Sequence, residues 1–575
     1  MDRGAAGLGH LEYSVRERSG SMIGVVAKGD EREVVREFFE LFKTPWEFCR
    51  ENQPYEVLIR SEGASEPHSA KLVIVYGNGS GAFDHDARNA PLPPRHGTTL
   101  SWNGDRIPVY GSCTTFPSDG RSPHLVVEDT GEAVVSVEHA PNSTVVRVGY
   151  DLFHEIRFLL TTGQPVRHAA IPTLEKHIAF LRELIVEAGI PLVEIPPIPE
   201  GYRFIVCLTH DVDHPSIRLH RFDHTMFGFL YRAVVRSLID VCAGKMRPTT
   251  LWHNWAAALR LPLVHLGLAK DFWSQLDRYL EIEKGLGSTF FVIPVKHDAG
   301  RTVDGPAPRI RASSYGVSDI ADHLRALRAA GCEVALHGID AWIDSSKGMR
   351  ERERVSQVTG VSAMGVRMHW LFFDERAPER LDDAGFTYDA TFGYNETVGF
   401  RAGTAQAFKP MSARRLLELP LTIMDTALFY PTHLNLTAKA ARQWVWRLVD
   451  DAERYGGALI INWHDRSLAP ERLWGQFYVQ LIDELKHRGA WFPTVTQAAS
   501  WFSQRRAAVF NSVCWDGASV RIRASAGRRR DLPGLTLRVH PPGPADGNRA
   551  VPERRPGRFT DVTFRGALDV HVVGQ

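Results

Sequence analysis

The stretch Phe204–His214, FIVCLTHDVDH, places an unbroken apolar run directly before two carboxylates. The apolar run from Phe204 to Leu208 is typical of a strand buried on both faces. Side chains alternate along a strand, so Asp211 and Asp213 should lie on the same side. Two carboxylates this close repel each other, and a cation or a shared proton is needed to hold both. A plain aspartate-rich turn at the strand end is the alternative interpretation.

Six further strand-like segments follow, and helical patterns separate most of them. They are Thr289–Val295, Glu333–His337, Met364–Arg367, Phe386–Thr391, Leu416–Leu421 and Ala458–His464. Seven strands with crossover helices predict a parallel sheet or barrel covered by helices. Barrels of this kind carry their chemistry at the carboxyl ends of the strands.

The chain is long enough, at 575 residues, for about three to four domains. We expect an α/β domain over residues 1–170, then a helix and proline-rich linker over 171–200. The barrel should occupy residues 201–505, and the alternating short runs of 506–575 predict a small β-domain. An insertion at 215–270, rich in aromatic and basic residues, interrupts the barrel after its first strand.

That insertion allows three interpretations. It could form a lid over the site, or contact a membrane surface or a lipid-linked glycan. It could also simply pack against the barrel. We favour packing against the barrel.

Composition excludes several classes of function. The formal net charge of +1 gives no general field that would attract nucleic acid. Six scattered cysteines without a CxxC pair argue against a thiolate zinc site and against a disulfide framework. The N-terminus has no apolar core of a secretory signal, and no run of about 18 apolar residues predicts a spanning helix. We therefore expect a cytoplasmic protein.

Polar residues follow four of the predicted strands at the point where each strand ends. They are Asp211 and Asp213, His337 and Asp340, Arg367 and His369, and His464 and Asp465. A lone histidine after a strand is usually structural, but a barrel brings these four ends together. Carboxylate and imidazole ligands suit zinc or a similar divalent ion, such as cobalt or manganese. The pattern thus indicates metal-assisted hydrolysis.

The motifs resemble those of the polysaccharide deacetylases, the NodB-homology group of carbohydrate esterase family four, over residues 200–505. THDVD matches the family's first motif, which implies Asp211 as catalytic base and Asp213 as metal ligand. EVALHG implies His337 as a second ligand, and GVRMH implies Arg367 as the residue that orients the base. INWHD implies His464 as general acid. The resemblance implies a distorted (β/α)7 barrel that removes N- or O-linked acetyl groups from an acetylated carbohydrate.

One departure from the family concerns the third metal ligand. The common second motif has two histidines four residues apart, but Ala341 stands four residues after His337. His369 or Asp340 could supply the missing ligand, and we favour His369. A substrate contact is the alternative role for His369.

Two further residues are candidates for substrate binding, Arg401 in GFRAG and Asp465 after His464. Arg401 could equally form a structural ion pair. Two other functions remain open at this stage. DVD after a strand also resembles the DxD of glycosyltransferases, which holds manganese and a nucleotide sugar. The altered second motif would also suit a non-catalytic barrel that binds glycan.

Overall fold

The computed structural model describes residues 23–573 apart from residues 52, 64–69, 78–93, 118–124, 243, 245–247, 473, 528 and 544–558. Within these residues the strands form six sheets, and the largest, of nine strands, carries the candidate site. None of the described helices is both long enough and apolar enough to cross a membrane. In the part of the chain that the structure describes, none of the six cysteines forms a disulfide.

The N-terminal part contains both strands and helices. Its strands are β1 (Ile23–Val26), β2 (Trp46–Phe48), β3 (Tyr55–Ser61), β4 (Ala70–Tyr76), β5 (Arg95–Trp102), β6 (Asp105–Cys113), β7 (Leu125–Val127), β8 (Val135–Ala140) and β9 (Ser143–Val148). Its helices are α1 (Arg32–Phe42), α2 (Leu152–Thr161) and α3 (Thr173–Glu187). One sheet has the order β2-β1-β3-β4-β9-β8 and the other β6-β5-β7.

The segment predicted as a helix and linker belongs to these packed layers. The stripe of α3, with Leu174 and Leu181 fully buried, lies in the same core as α1 and α2. After it, β10 (Leu192–Glu194) pairs antiparallel with β24 (Leu535–His540) near the C-terminus. The proline-rich stretch is therefore a strand connection that joins distant parts of the chain.

The central part alternates strands and helices as the sequence predicts. Its strands are β11 (Phe204–Val212), β12 (Ser288–Val292), β13 (Arg301–Thr302), β14 (Gly305–Pro306), β15 (Glu333–Gly338), β16 (Val366–Met368), β17 (Tyr388–Asp389), β18 (Leu417–Glu418), β19 (Leu421–Met424), β20 (Ala458–Asn462) and β21 (Ala490–Trp491). Its helices are α4 (His224–Leu230), α5 (Ser237–Cys242), α6 (Pro248–His265), α7 (Leu276–Ile282), α8 (Ala321–Ala329), α9 (Ser345–Thr359), α10 (Ala377–Asp383), α11 (Asp425–Phe429), α12 (Ala438–Tyr455), α13 (Gly475–His487) and α14 (Val495–Arg506).

The large sheet is parallel and has the order β18-β17-β16-β15-β12-β11-β20-β19, with β21 beside the start of β11. All nine residues of β11 are buried, because the strand lies at the centre of this sheet. The two ends of the order, β18 and β19, are consecutive pieces of one segment, separated only by Leu419 and Pro420. That segment pairs with β17 on one side and with β20 on the other, so it closes the curled sheet.

The insertion forms α4, α5 and α6, and a helical turn over Tyr231–Arg236 joins the first two. A small core around Phe229 and Trp273 packs it against Ala469 of the barrel. Its outer surface exposes large apolar side chains, among them Phe222, Trp252 and Leu259. The predicted contact with a membrane or a lipid-linked glycan stays a prediction.

The C-terminal part consists of short antiparallel strands, as predicted. They are β22 (Val509–Trp515), β23 (Ser519–Ser525), β24, β25 (Thr560–Phe564) and β26 (Ala567–Val573). Their sheets have the orders β22-β23-β26 and β10-β24-β25. Leu535 and Ile522 pack into the same core as the barrel. The domain boundaries themselves stay a prediction.

Gly365, directly before β16, provides a test of this packing. A Cβ atom on Gly365 would lie 2.1 Å from the buried ring of Tyr388, whose hydroxyl donates to Glu333. We expect Gly365→Ala to lower the free energy of unfolding by about 1–3 kcal/mol. Gly29→Ala is the control, since nothing lies within 4 Å of its Cβ position. Equal urea midpoints for the two variants would contradict the predicted packing.

Candidate active site

Asp211 lies on β11 and has a partner for each of its carboxylate oxygens. Arg367 Nη1 donates to Oδ1 at 2.9 Å, and Asn462 Nδ2 donates to Oδ2 at 2.7 Å. Burial raises the pKa of Asp211, but Arg367, His337 and His464 outweigh burial and lower this pKa below its usual value. Asp211 is therefore an ionised carboxylate that two neighbours hold in one orientation.

Arg367 is fully buried and connects three parts of the barrel. Besides Asp211, its Nη1 donates to Thr209 Oγ1 at 2.8 Å, and its Nε donates to the Ala390 carbonyl at 3.0 Å. The guanidinium also lies 4.3 Å from the centroid of the Phe291 ring. A buried guanidinium charge needs such partners, because burying it without them costs roughly several kcal/mol.

Three strand ends bring together a group of possible metal ligands. Asp213 follows β11, His337 lies on β15 and His369 follows β16, and their ligand atoms all lie within 4.8 Å of one another. Asp213 Oδ1 is 3.4 Å from His337 Nε2 and 3.7 Å from His369 Nε2. Asp340, the alternative third ligand, is not in this group.

The donor set fits a divalent ion. Two ligand atoms bound at about 2.1 Å to a tetrahedral ion lie about 3.4 Å apart, close to the spacings seen here. Asp213 Oδ1 is buried and has no hydrogen-bond partner. His337 Nδ1 bonds to the Arg367 carbonyl at 3.0 Å, which directs Nε2 towards Asp213. Burial lowers the pKa of His369 to about 3 and keeps its imidazole neutral, as a metal ligand must be.

Asp340 is engaged elsewhere. Its Oδ1 accepts from the Arg301 amide at 2.8 Å, and its Oδ2 accepts from Lys347. By contrast, the backbone of His369 is held in place by Arg311, whose Nη2 donates to the His369 carbonyl at 2.8 Å. The geometry therefore favours His369 as the third ligand.

His464 lies just after β20 and is oriented by Asp425. His464 Nδ1 lies 2.6 Å from Asp425 Oδ1, and the His464 amide donates to Oδ2 at 2.7 Å. The other ring nitrogen, Nε2, is 3.9 Å from Asp213 Oδ2. Burial lowers the pKa of His464, but Asp425 outweighs burial and raises this pKa to about 9. His464 is thus a protonated imidazole with its Nε2 directed towards the ligand group.

One cavity of about 610 Å³ is lined by Asp211, Asp213, His337, His369 and His464. Asp465, a predicted substrate contact, also lines it, and its Oδ2 accepts from the His214 amide at 2.9 Å. Burial raises the pKa of Asp465 to about 6, with Asp213 adding to the effect. Trp370 and Phe372 add apolar surface to the lining of the cavity.

Arg401, the other predicted substrate contact, is not among the residues that line this cavity. Its Nη1 donates to the Gly393 carbonyl at 2.8 Å, and its guanidinium lies 4.5 Å from the Phe392 ring centroid. The Arg401 carbonyl accepts from the Gln164 amide at 2.8 Å. These contacts place it where the barrel meets the N-terminal part.

Sequence reasoning missed two residues that hold the proposed proton-transfer groups, Asp425 and Asn462. Asp425 follows β19 immediately, so the rule about strand ends could have found it. Asn462 lies on β20, close to Asp211 on the neighbouring strand β11. Only the register of β11 against β20 reveals the contact between the two residues.

No protein-family model matches the chain, and no curated protein matches it. Among solved structures, the chain is similar to Agd3, a carbohydrate deacetylase, with 10% identity over 96% of this chain and 99% of that one (TM-score 0.35). It is similar to a protein from Mycobacterium smegmatis assigned as a polysaccharide deacetylase, with 21% identity over 54% and 95% (TM-score 0.34).

A third similar structure is a family four pseudoenzyme from Bacillus anthracis, with 14% identity over 40% of this chain and 61% of that one (TM-score 0.24). The predicted resemblance to polysaccharide deacetylases is therefore found again among solved structures.

Metal content tests the third ligand. We expect the purified protein to bind about one equivalent of zinc, as a single Asp-His-His group would. His369→Ala should lose this metal, because only two ligands remain. Asp340→Asn should keep it, since the Asp340 carboxylate bonds Arg301 and Lys347. Elemental mass spectrometry of both variants measures their metal content. Loss of metal from Asp340→Asn but not from His369→Ala would contradict the assignment.

Proposed function

We propose that this chain is a metal-dependent hydrolase that removes N- or O-linked acetyl groups from a sugar or polysaccharide intermediate. One observation carries the proposal. A single cavity contains the three-ligand group together with two separately oriented groups for proton transfer, Asp211 and His464. A site that only binds metal or glycan has no need for such a pair.

Asp213, His337 and His369 would hold the ion, with zinc as our first choice and cobalt or manganese as alternatives. When bound, such an ion polarises a carbonyl and lowers the pKa of water. The hydrogen bond from His337 Nδ1 to the Arg367 carbonyl fixes which nitrogen faces the ion.

Asp211 would act as the general base. Its lowered pKa keeps it ionised at neutral pH, and it can therefore accept a proton from the attacking water. Arg367 and Asn462 fix the carboxylate from both sides, so the remaining lone pairs point in a constant direction. Preorganisation of this kind removes an entropic cost from the reaction.

His464 would act as the general acid. Asp425 binds Nδ1 and favours the imidazolium, which leaves the proton on Nε2 for the departing amine or alcohol. The leaving group would then depart on the side of the cavity where His464 lies. Base and acid are thus different residues with opposite charges, each stabilised by its own partner.

The two other functions are less well supported. In a DxD glycosyltransferase both aspartates serve a nucleotide-bound metal, but here the Asp211 oxygens bond Arg367 and Asn462. A non-catalytic barrel would explain the metal ligands alone. It would leave the arrangement of His464 and Asp425 without a purpose.

Substitution of the two proton-transfer groups tests the proposal. We expect Asp211→Asn and His464→Asn to lower acetate release from acetylated chitooligosaccharides or xylan by about 100-fold or more. Metal content should remain unchanged, because neither residue belongs to the ligand group.

Asp322→Asn and His323→Asn on the exposed face of α8 are the matched controls and should retain full activity. Full turnover in both Asp211→Asn and His464→Asn would disprove the mechanism. Acetate release that survives complete removal of metal would disprove the metal dependence.

A further inference from the structure

Three arginines from two separate segments line the same cavity as the proposed metal centre. Arg232 comes from the helical turn of the insertion, whereas Arg466 and Arg472 lie in the loop that follows β20. None of them takes part in the proposed hydrolysis. We refer to Arg232, Arg466 and Arg472 as the arginine cluster.

The guanidinium groups of this cluster form few hydrogen bonds with the protein. Arg466 is only 5% exposed, yet its Nε and Nη1 have no hydrogen-bond partner. The Nε of Arg232 is also buried without a partner, and no ion pair of Arg232 is found among the described residues. Arg472 has one long contact, from Nη1 to Ser467 Oγ at 3.5 Å.

Acidic residues compensate the cluster only in part. Glu471 is the nearest carboxylate, with Oε1 3.9 Å from Arg466 Nε, and neither of its oxygens has a hydrogen bond. Asp465 lines the same cavity but bonds the His214 amide. Burial lowers the pKa of Arg466 to about 9, and the neighbouring Arg472 adds to this effect. The cluster therefore keeps an excess of positive charge.

Arg311, at the same cavity, provides a useful comparison because its role is structural. It is buried like Arg466, but its Nη1 and Nη2 donate to the carbonyls of Ala299, Ile339 and His369, and only its Nε lacks a partner. A buried guanidinium that serves the fold has its donors filled in this manner. The three cluster residues have fewer protein partners than Arg311 and all line the cavity, as the residues of a ligand site would.

We propose that the arginine cluster is a subsite for an anionic group of the substrate, a carboxylate or a phosphate. Guanidinium donors in a fork match the oxygens of either group. The inference rests on the proposed function and extends it, since the acetylated sugar would then be an acidic one. The insertion would contribute to substrate selection through Arg232.

Anion binding by the full-length protein tests the subsite without any turnover. Inorganic phosphate and glucuronate would be titrated separately into the wild type, Arg232→Gln and Arg466→Gln, by calorimetry at constant ionic strength. We expect the wild type to bind at least one anion, and each variant to bind it about tenfold more weakly or worse. The anion that binds more tightly identifies the anionic group of the substrate, as the phosphate of a phosphate-linked sugar or the carboxylate of a uronic acid.

Arg236→Gln is the matched control. Arg236 lies one turn from Arg232 but pairs with Asp240 at 3.1 Å and does not line the cavity. It should bind both anions as the wild type does. Arg232 is only half-buried, so Arg232→Gln keeps the test valid even if the replacement of buried Arg466 impairs folding.

The titrations are repeated after metal removal, because a bound ion also attracts anions. Binding that persists without metal and is lost in Arg232→Gln supports the subsite. Binding that vanishes with the metal, equal affinity in all variants, or no binding of either anion by the wild type would overturn it. Anion binding by a protein that releases no acetate would leave the subsite intact and reject the deacetylase function.

Discussion

The buried ion pair between Arg367 and Asp211 is the interaction on which the rest of the site depends. Arg367 is fully buried, and removal of either partner would leave an uncompensated charge inside the barrel. The same arginine residue accepts the His337 bond through its carbonyl, in the register that pairs β15 with β16. The proposed base and one proposed metal ligand are therefore positioned by a single residue, and a shift of either strand would displace both.

The closing segment Leu417–Met424 has a comparable role on the other side of the cavity. It pairs with both edges of the parallel sheet, and its end delivers Asp425 directly to His464. The proposed acid is thus oriented by the element that closes the barrel. The proposed metal ligands lie on β15 or directly after β11 and β16, nearer the centre of the sheet, so the two halves of the proposed chemistry depend on different strands.

The sequence predicted the strands of the large sheet and the polar residues that meet at their ends, for a physical reason. Strands buried on both faces must be apolar, and a polar residue at their end stands out, as His337 and Asp213 do. The partners of those residues were harder to find. Asn462 contacts Asp211 from 251 residues away, and no local pattern encodes such a pairing.

The same limit applies to other contacts between distant parts of the chain. Pro191–Gly201 has the composition of a linker, but it contains β10, whose partner β24 lies more than 300 residues further along the chain. Arg401 is a predicted substrate contact, and in the structure its guanidinium contacts Gly393 and Phe392. The arginine cluster draws on the insertion and on the loop after β20, and only the structure brings these together.

X-ray absorption spectroscopy of the zinc-loaded protein tests the central claim most directly. The account predicts about two imidazole nitrogens and one carboxylate oxygen at roughly 2.0–2.2 Å, with no sulfur scatterer. His369→Ala should lose one imidazole from this shell or fail to bind zinc. A shell with sulfur, with a single imidazole, or unchanged in His369→Ala would contradict the Asp213, His337 and His369 centre.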